Sequence, residues 1–132
     1  MSMVAGILVG HGDLPRALLK TIESIIGTPD NFQIVSNEQC SLNELKSRIE
    51  SAIRALGNQD IIIFVDIFGG SCANVSKALL KQPSQQQLGI ICGVSLPMLI
   101  KYFQYRERLN FKELLQLLEK TGKDEIRILT ST

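Results

Sequence analysis

Short apolar runs alternate with longer segments of helical periodicity along the chain, and this alternation constrains the fold more than any other feature. The clearest run is Ile61–Val65, in which nearly every residue is β-branched. Similar runs predict strands at residues 3–9, residues 32–35 and Leu88–Cys92, with a last short strand at residues 126–129. Strands that are apolar along their whole length need cover on both faces. The pattern therefore predicts an α/β, doubly wound fold with a mainly parallel central sheet flanked by helices.

Helices are predicted between the strands because apolar residues recur there every three or four positions. Two of them begin at capping boxes, in which an N-cap side chain and a glutamate three residues later bond each other's backbone N–H groups. The predicted helices are Leu14–Ile26, one that follows Ser41 and ends before Gly57, one over residues 73–81, one that begins near Pro97, and one from Asn110 to about Glu119 that Gly122 ends. A length of 132 residues is typical of one domain, so residues 1–132 are expected to form a single unit.

Composition excludes several classes of function. Lys plus Arg number 14 and Asp plus Glu number 13, so a net charge of +1 argues against binding nucleic acid or an acidic membrane surface. No apolar run approaches the roughly 20 residues that span a bilayer, and the start of the chain lacks the pattern of a signal peptide. We therefore expect a cytoplasmic protein that is not inserted in a membrane.

The three cysteines, Cys40, Cys72 and Cys92, are widely spaced and form no CxxC motif. This spacing argues against a disulfide framework or a zinc site and favours a reducing compartment. The single histidine also excludes histidine-rich metal sites. We therefore expect no metal and no cofactor, and we expect Cys72 to be a structural thiol rather than a nucleophile.

Residues that can do chemistry follow two of the predicted strands. His11 comes after the first strand and Asp66 directly after the third. Ligands of doubly wound sheets bind at the carboxyl ends of the strands, so these two side chains meet if their strands are neighbours. A carboxylate that accepts a hydrogen bond from one ring nitrogen leaves the other nitrogen unprotonated. That nitrogen can then act as a base, a metal ligand or a nucleophile.

Glycines surround both positions, and a serine leads into the next predicted helix. Gly12 and the sequence Gly69-Gly70-Ser71 leave the backbone open to a bulky anion, and a helix N-terminus favours phosphate. Together these residues suggest a histidine that attacks phosphorus and holds the phosphoryl group. Singly, they also fit a polar turn histidine, an N-cap aspartate and a tight glycine turn, so the residues alone predict an anion or phosphate site.

Three segments resemble the IIA component of the mannose family of the bacterial sugar phosphotransferase system. They are ILVGHGDLPRALLKT around His11, FVDIFGGSCANVSKAL around Asp66, and GVSLPMLIKY after the fourth predicted strand. The resemblance covers residues 4–129. The chain departs from the family pattern at Cys72, where proline is common, and at Ser95, where asparagine is common.

The resemblance implies a phosphocarrier that is a phosphotransferase with a covalent phosphohistidine intermediate. His11 would accept a phosphoryl group from the histidine-containing phosphocarrier protein and pass it to a IIB component on a separate chain, for sugar uptake or for regulation. Asp66 would bond the ring nitrogen that carries no phosphate, while Gly70 and Ser71 would surround the phosphoryl group. The family's exchanged C-terminal strand implies a homodimer, and an apolar docking surface is expected at Leu14, Phe68 and Met98.

Two other functions remain open at the level of sequence. A non-catalytic regulatory or anion-binding module could use the same edge of the sheet without turnover. The phosphotransfer subunit of a dihydroxyacetone kinase shares the fold and a histidine. The Gly69-Gly70-Ser71 turn and the GVSLPML segment favour the mannose family over the kinase subunit.

Overall fold

The computed structural model describes residues 3–132, which contain a four-stranded parallel sheet with the strand order β2-β1-β3-β4. In chain order the elements are β1 (Ala5–Gly10), α1 (Leu14–Ile26), β2 (Phe32–Ser36), α2 (Leu42–Ala55), β3 (Ile61–Val65), α3 (Ser71–Leu79), β4 (Leu88–Cys92), α4 (Leu96–Tyr105) and α5 (Phe111–Asp124). The predicted α/β doubly wound fold is confirmed. No helix within residues 3–132 combines the length and apolar character needed to cross a bilayer.

The two central strands are buried at every residue, as their continuous apolar sequences predict. Successive side chains of a strand point to opposite faces of the sheet. Ile7 and Ile63 therefore belong to the core beneath α2 and α3. Leu8 and Phe64 belong to the other core, which α1, α4 and α5 cover. The sheet is thus fixed from both sides, which gives the loops at its ends a rigid support.

The strand order places the topological switch point, where successive strands change from one side of β1 to the other, between β1 and β3. The chain passes from β1 to β2 on one side and then returns to place β3 on the other side of β1. Strands β1 and β3 are parallel neighbours with Val9 opposite Val65. Their carboxyl ends therefore meet at the place where doubly wound sheets bind ligands.

Short sequence motifs predicted the starts of these helices to within two residues. Both predicted capping boxes are present: the side chains of Ser41 and Asn110 accept the backbone N–H groups of Glu44 and Glu113, whose carboxylates accept in return. Helix α3 begins at Ser71, two residues before the predicted start. These caps depend only on residues within one turn, so the sequence alone was sufficient to place them.

One prediction near the C-terminus is wrong, and a second is not met within a single chain. Helix α5 continues through Gly122 to Asp124, and the space that a Cβ of Gly122 would need is filled by the Met98 side chain, whose Cε lies 2.7 Å away. Residues 126–129 form no strand, and the side chains of Ile126, Ile128 and Leu129 are 81% to 95% exposed. A strand needs a hydrogen-bonded neighbour, and residues 126–129 lie beside none of the four described strands, so a strand here stays a prediction that requires a second subunit.

Substitution of Gly6 tests the packing between β1 and α4. A Cβ at Gly6 would lie 2.8 Å from both Phe32 Cδ1 and the hydroxyl oxygen of Tyr102, a buried side chain that donates to the Val4 carbonyl. We expect Gly6→Ala to lower the free energy of unfolding by about 1–3 kcal/mol in urea denaturation, because the core is overpacked. The control Ser51→Ala, at an exposed position of α2, should stay within about 0.5 kcal/mol of wild type. Equal stability of Gly6→Ala and wild type would contradict this packing.

Candidate functional site

His11 and Asp66 form a hydrogen-bonded pair at the carboxyl ends of β1 and β3. The Nδ1 atom of His11 lies 2.9 Å from Oδ2 of Asp66, and the backbone N–H of His11 donates to the same oxygen at 2.8 Å. The other oxygen, Oδ1, accepts the backbone N–H of Ile67 at 2.9 Å. Three contacts therefore hold the carboxylate. Because an ionised carboxylate only accepts, the proton of the neutral ring lies on Nδ1 and the lone pair on Nε2.

The pairing needs a close approach between the two strand ends, and glycine permits it. A Cβ on Gly10 would lie 3.2 Å from Oδ2 of Asp66 and 3.0 Å from the Pro15 ring, which is tighter than ordinary contact. Gly10 therefore leaves room for the carboxylate to reach across to His11. The strand register that brings the two chain segments together comes from the buried cores, so packing and local sequence act jointly here.

Two residues at the carboxyl end of β2, Ser36 and Asn37, support the turn that carries His11, and the sequence analysis missed both. The hydroxyl of Ser36 donates to the carbonyl of Gly12 at 2.7 Å, and the N–H of Gly12 donates to Oδ1 of Asn37 at 3.1 Å. Gly12 has a φ of +59°, which favours glycine. Because β2 is parallel to β1 and beside it, the carboxyl ends of both strands lie at the same edge of the sheet. Ser36 and Asn37 could therefore have been predicted for the same reason as His11. The N–H of Gly12 already donates to Asn37, so it is not free for an anion. What Gly12 can offer an anion is the space left by its missing side chain.

The Nε2 side of the imidazole faces the start of α3. The Oγ atom of Ser71 lies 3.5 Å from Nε2, and a Cβ on Gly70 would lie 3.7 Å from it. Gly70 is the N-cap of α3, and no side chain within residues 3–132 caps that helix end. The first N–H groups of α3 and the positive end of its dipole are therefore available close to Nε2. The structure thus brings together all five predicted site residues, which are His11, Gly12, Asp66, Gly70 and Ser71.

Exposure differs sharply between the two members of the pair. The side chain of His11 is 43% exposed, whereas that of Asp66 is only 11% exposed. An incoming group can therefore reach the imidazole while the carboxylate stays protected behind it. Such an arrangement suits a nucleophile that meets a large partner at the surface.

Cys72 lies behind the imidazole, on the first turn of α3. Its Sγ atom is 3.9 Å from Nδ1 of His11, and the residue is fully buried. Burial first, and the charge of Asp66 second, raise the pKa of the Cys72 thiol to about 11. The thiol therefore stays protonated near neutral pH, in agreement with the expectation that it is not a nucleophile.

Apolar side chains lie near the pair on the surface. Phe68 is 85% exposed and Leu14 is 43% exposed, as expected for a docking surface. Met98, the third predicted member of that surface, is instead buried at 3% exposure, because it packs in the core beneath α4 and α5. Leu42 adds an exposed side chain, and it lines a groove with Ser71.

Comparison with known proteins shows that the sequence is similar to IIA components of the phosphotransferase system. The model of the EIIA-man family, described as "PTS system fructose IIA component", matches residues 5–119. The fructose-specific EIIA component of Bacillus subtilis is 28% identical over 96% of this chain and 86% of its own length. The mannose-specific EIIAB component of Escherichia coli K12 is 26% identical, and this chain spans only 40% of that longer protein.

Solved structures agree on the fold. The phosphotransferase system component EIIA from Streptococcus agalactiae superposes with a TM-score of 0.89 at 22% identity, covering 96% of this chain and 97% of that one. The mannose/sorbose specific IIA subunit from Enterococcus faecalis superposes with a TM-score of 0.83 at 21% identity, covering 99% and 98%. The family model covers most of the sequence and confirms the resemblance, so this chain belongs to the mannose-type IIA components of the phosphotransferase system, which serve phosphoryl transfer in sugar uptake.

Proposed function

We propose that this chain is a phosphocarrier that accepts a phosphoryl group on Nε2 of His11 and then gives it to another protein. The observation that carries the proposal is the 2.9 Å contact between Nδ1 of His11 and Oδ2 of Asp66. This contact places the ring proton on Nδ1 and leaves the Nε2 lone pair free for attack. Both residues were expected from the sequence to do this work, and their geometry supports it.

The proposed step is an in-line displacement at phosphorus. The lone pair of Nε2 forms the new N–P bond as the bond between phosphorus and the donor's ring nitrogen breaks, and the donor imidazole leaves with that electron pair. No proton has to move, because Nδ1 keeps its hydrogen throughout. The ring of His11 gains positive charge, which the adjacent Asp66 carboxylate stabilises. Catalysis is then mainly positioning and charge stabilisation.

The phosphoryl oxygens would lie against the first turn of α3. The hydroxyl of Ser71 and the open N–H groups at that helix end can donate to them, and the positive end of the helix dipole favours their charge. Gly12 and Gly70 would leave the backbone approachable. Gly12, Gly70 and Ser71 are therefore the proposed phosphate-binding residues. The step requires neither a metal nor a cofactor.

The partners that we propose are two proteins that reach His11 in turn. The donor is the histidine-containing phosphocarrier protein, and the acceptor is a IIB component on a separate chain, both in the cytoplasm. The exposed side chains of Leu14 and Phe68 offer an apolar docking surface near the imidazole. Encounters of a relay have to be transient, so small interfaces of less than about 1,200 Å² are expected.

Intact-mass analysis tests the acceptor residue. After incubation with phosphoenolpyruvate and the upstream carrier proteins, the wild-type chain should gain the mass of one phosphoryl group, and acid should remove it. His11→Ala should gain nothing, because the chain has no other histidine. Label that survives in His11→Ala would refute the assignment. Wild type that stays unmodified while it still binds a partner would favour a regulatory module.

Replacement of Asp66 tests the orienting carboxylate. We expect Asp66→Asn to slow phosphoryl uptake by about 100- to 10,000-fold in rapid-quench kinetics, since an amide can donate to Nδ1 and favour the wrong tautomer. The matched control is Asp13→Asn, on the turn that carries His11, where the exposed carboxylate pairs with Arg16. The control should transfer at close to the wild-type rate. Equal rates for Asp66→Asn and the control would exclude an orienting role for Asp66.

We also propose a homodimer in which residues 126–129 are exchanged between subunits. Strand β4 lies at the edge of the sheet, and an open groove of about 580 Å³ runs between β4 and α5. Ile128 and Leu129 project into solvent, so this apolar segment lacks cover within its own chain. Pairing with the free edge of another subunit's β4 would provide that cover.

Truncation tests the exchange. Light scattering should show a dimer for the full chain and a monomer for a chain that ends at Glu125, because the exchanged segment would be missing. The helical circular dichroism should be retained in both. A control chain that lacks only Ser131 and Thr132 should remain a dimer. A dimer that persists without residues 126–132 would contradict the exchange.

A further inference from the structure

We propose that a thiophilic divalent cation such as Zn²⁺ binds directly to His11, Asp66 and Cys72 and thereby prevents His11 from accepting a phosphoryl group. The inhibitory consequence rests on the proposed function, whereas the binding of the cation does not. Among residues 3–132 these three side chains are the one group of histidine, cysteine or acidic residues close enough to share a metal ion. The spacing of the cysteines in the sequence gave no sign of such a site.

The distances suit a tetrahedral ion. One ligand atom from each of the three residues lies within 4.8 Å of those of the other two. From Nδ1 of His11, Sγ of Cys72 lies 3.9 Å away and Oδ2 of Asp66 lies 2.9 Å away. Zinc bonds of about 2.0–2.3 Å at tetrahedral angles require separations of about 3.4–3.6 Å between ligand atoms. The carboxylate oxygen therefore has to retreat and the sulfur to advance by a few tenths of an ångström each, which side-chain rotation can supply.

The donor set selects the class of metal. One imidazole nitrogen, one carboxylate oxygen and one sulfur are ligands that zinc accepts, and the sulfur disfavours Mg²⁺ and Ca²⁺. Cys72 is essential to this set because it supplies the one sulfur of the group. Because the group supplies three protein ligands, a water molecule can complete four-coordination.

Metal binding and phosphoryl transfer need opposite tautomers of the same ring. A cation on Nδ1 replaces the hydrogen bond to Asp66, so the proton of Nδ1 leaves to solvent and Nε2 takes up a proton. The thiol proton of Cys72 also leaves to solvent as the bond from sulfur to the metal forms. With a hydrogen on Nε2 the ring has no lone pair for phosphorus. Conversely, a phosphorylated ring that keeps its Nδ1 hydrogen cannot ligate the cation.

Titration with Co²⁺ alone tests the site without any phosphotransfer reaction. With protein kept reduced by a phosphine, the wild-type chain should develop a near-ultraviolet thiolate-to-cobalt band that saturates at one equivalent. The matched control Cys92→Ala removes a cysteine outside the group and should give the same band. Cys72→Ala should give none. Zn²⁺ should bind this variant more than about 100-fold more weakly in calorimetry, since loss of even a group that only hydrogen-bonds a metal ligand costs about 10- to 100-fold.

The second measurement compares phosphoryl uptake with and without Zn²⁺ for each chain. We expect Zn²⁺ to suppress uptake by the wild type and by Cys92→Ala, whereas uptake by Cys72→Ala should be the same with and without Zn²⁺. The latter comparison also shows that Zn²⁺ has not inactivated the upstream proteins. A cobalt band that persists in Cys72→Ala, or is missing in the wild type, would overturn the site. Bound Zn²⁺ that leaves wild-type uptake unchanged would overturn the inhibition. A wild type that takes up no phosphate even without Zn²⁺ would refute the proposed function, while the cobalt result would stand by itself.

Discussion

The hydrogen bond between Nδ1 of His11 and Oδ2 of Asp66 is the contact on which the rest of the site depends. It sets the tautomer of the only imidazole in the chain and aims the free nitrogen at the first turn of α3. The same carboxylate oxygen accepts the His11 backbone N–H, so the ring and its backbone are held by one group. An imidazole on a surface turn is thereby given a defined orientation without being buried.

The buried sheet fixes the relative positions of His11 and Asp66. Strands β1 and β3 are buried at every residue between two apolar cores, so their register cannot slip without moving side chains to the wrong face. Beyond the last buried pair, Val9 and Val65, the chain enters short turns that carry the polar residues. Rigid strands thus position an imidazole that is itself 43% exposed, and Ser36 and Asn37 reinforce its turn from the neighbouring strand.

The proposed relay and the proposed metal site use the same hydrogen bond in opposite ways. Phosphoryl transfer needs the Nδ1 hydrogen to stay in place, whereas a cation can bind only if that hydrogen leaves. Cys72 makes the second state possible because its sulfur lies 3.9 Å from Nδ1. Without a metal, burial keeps that thiol protonated and inert. A single thiol can therefore add a control on the site without changing the proposed chemistry of transfer.

The sequence by itself determined the strands, the capping boxes and the likeness to mannose-type IIA components, since runs such as Ile61–Val65 and pairs such as Ser41 and Glu44 act over short distances. It also pointed to His11 and Asp66, because doubly wound sheets use strand ends. Only the tertiary structure decided that α5 continues past Gly122, where the Met98 side chain fills the space, and that residues 126–129 pair with none of the strands described in residues 3–132. It also decided that Cys72 lies against the imidazole. Each of these outcomes depends on contacts between distant segments, which no local pattern encodes.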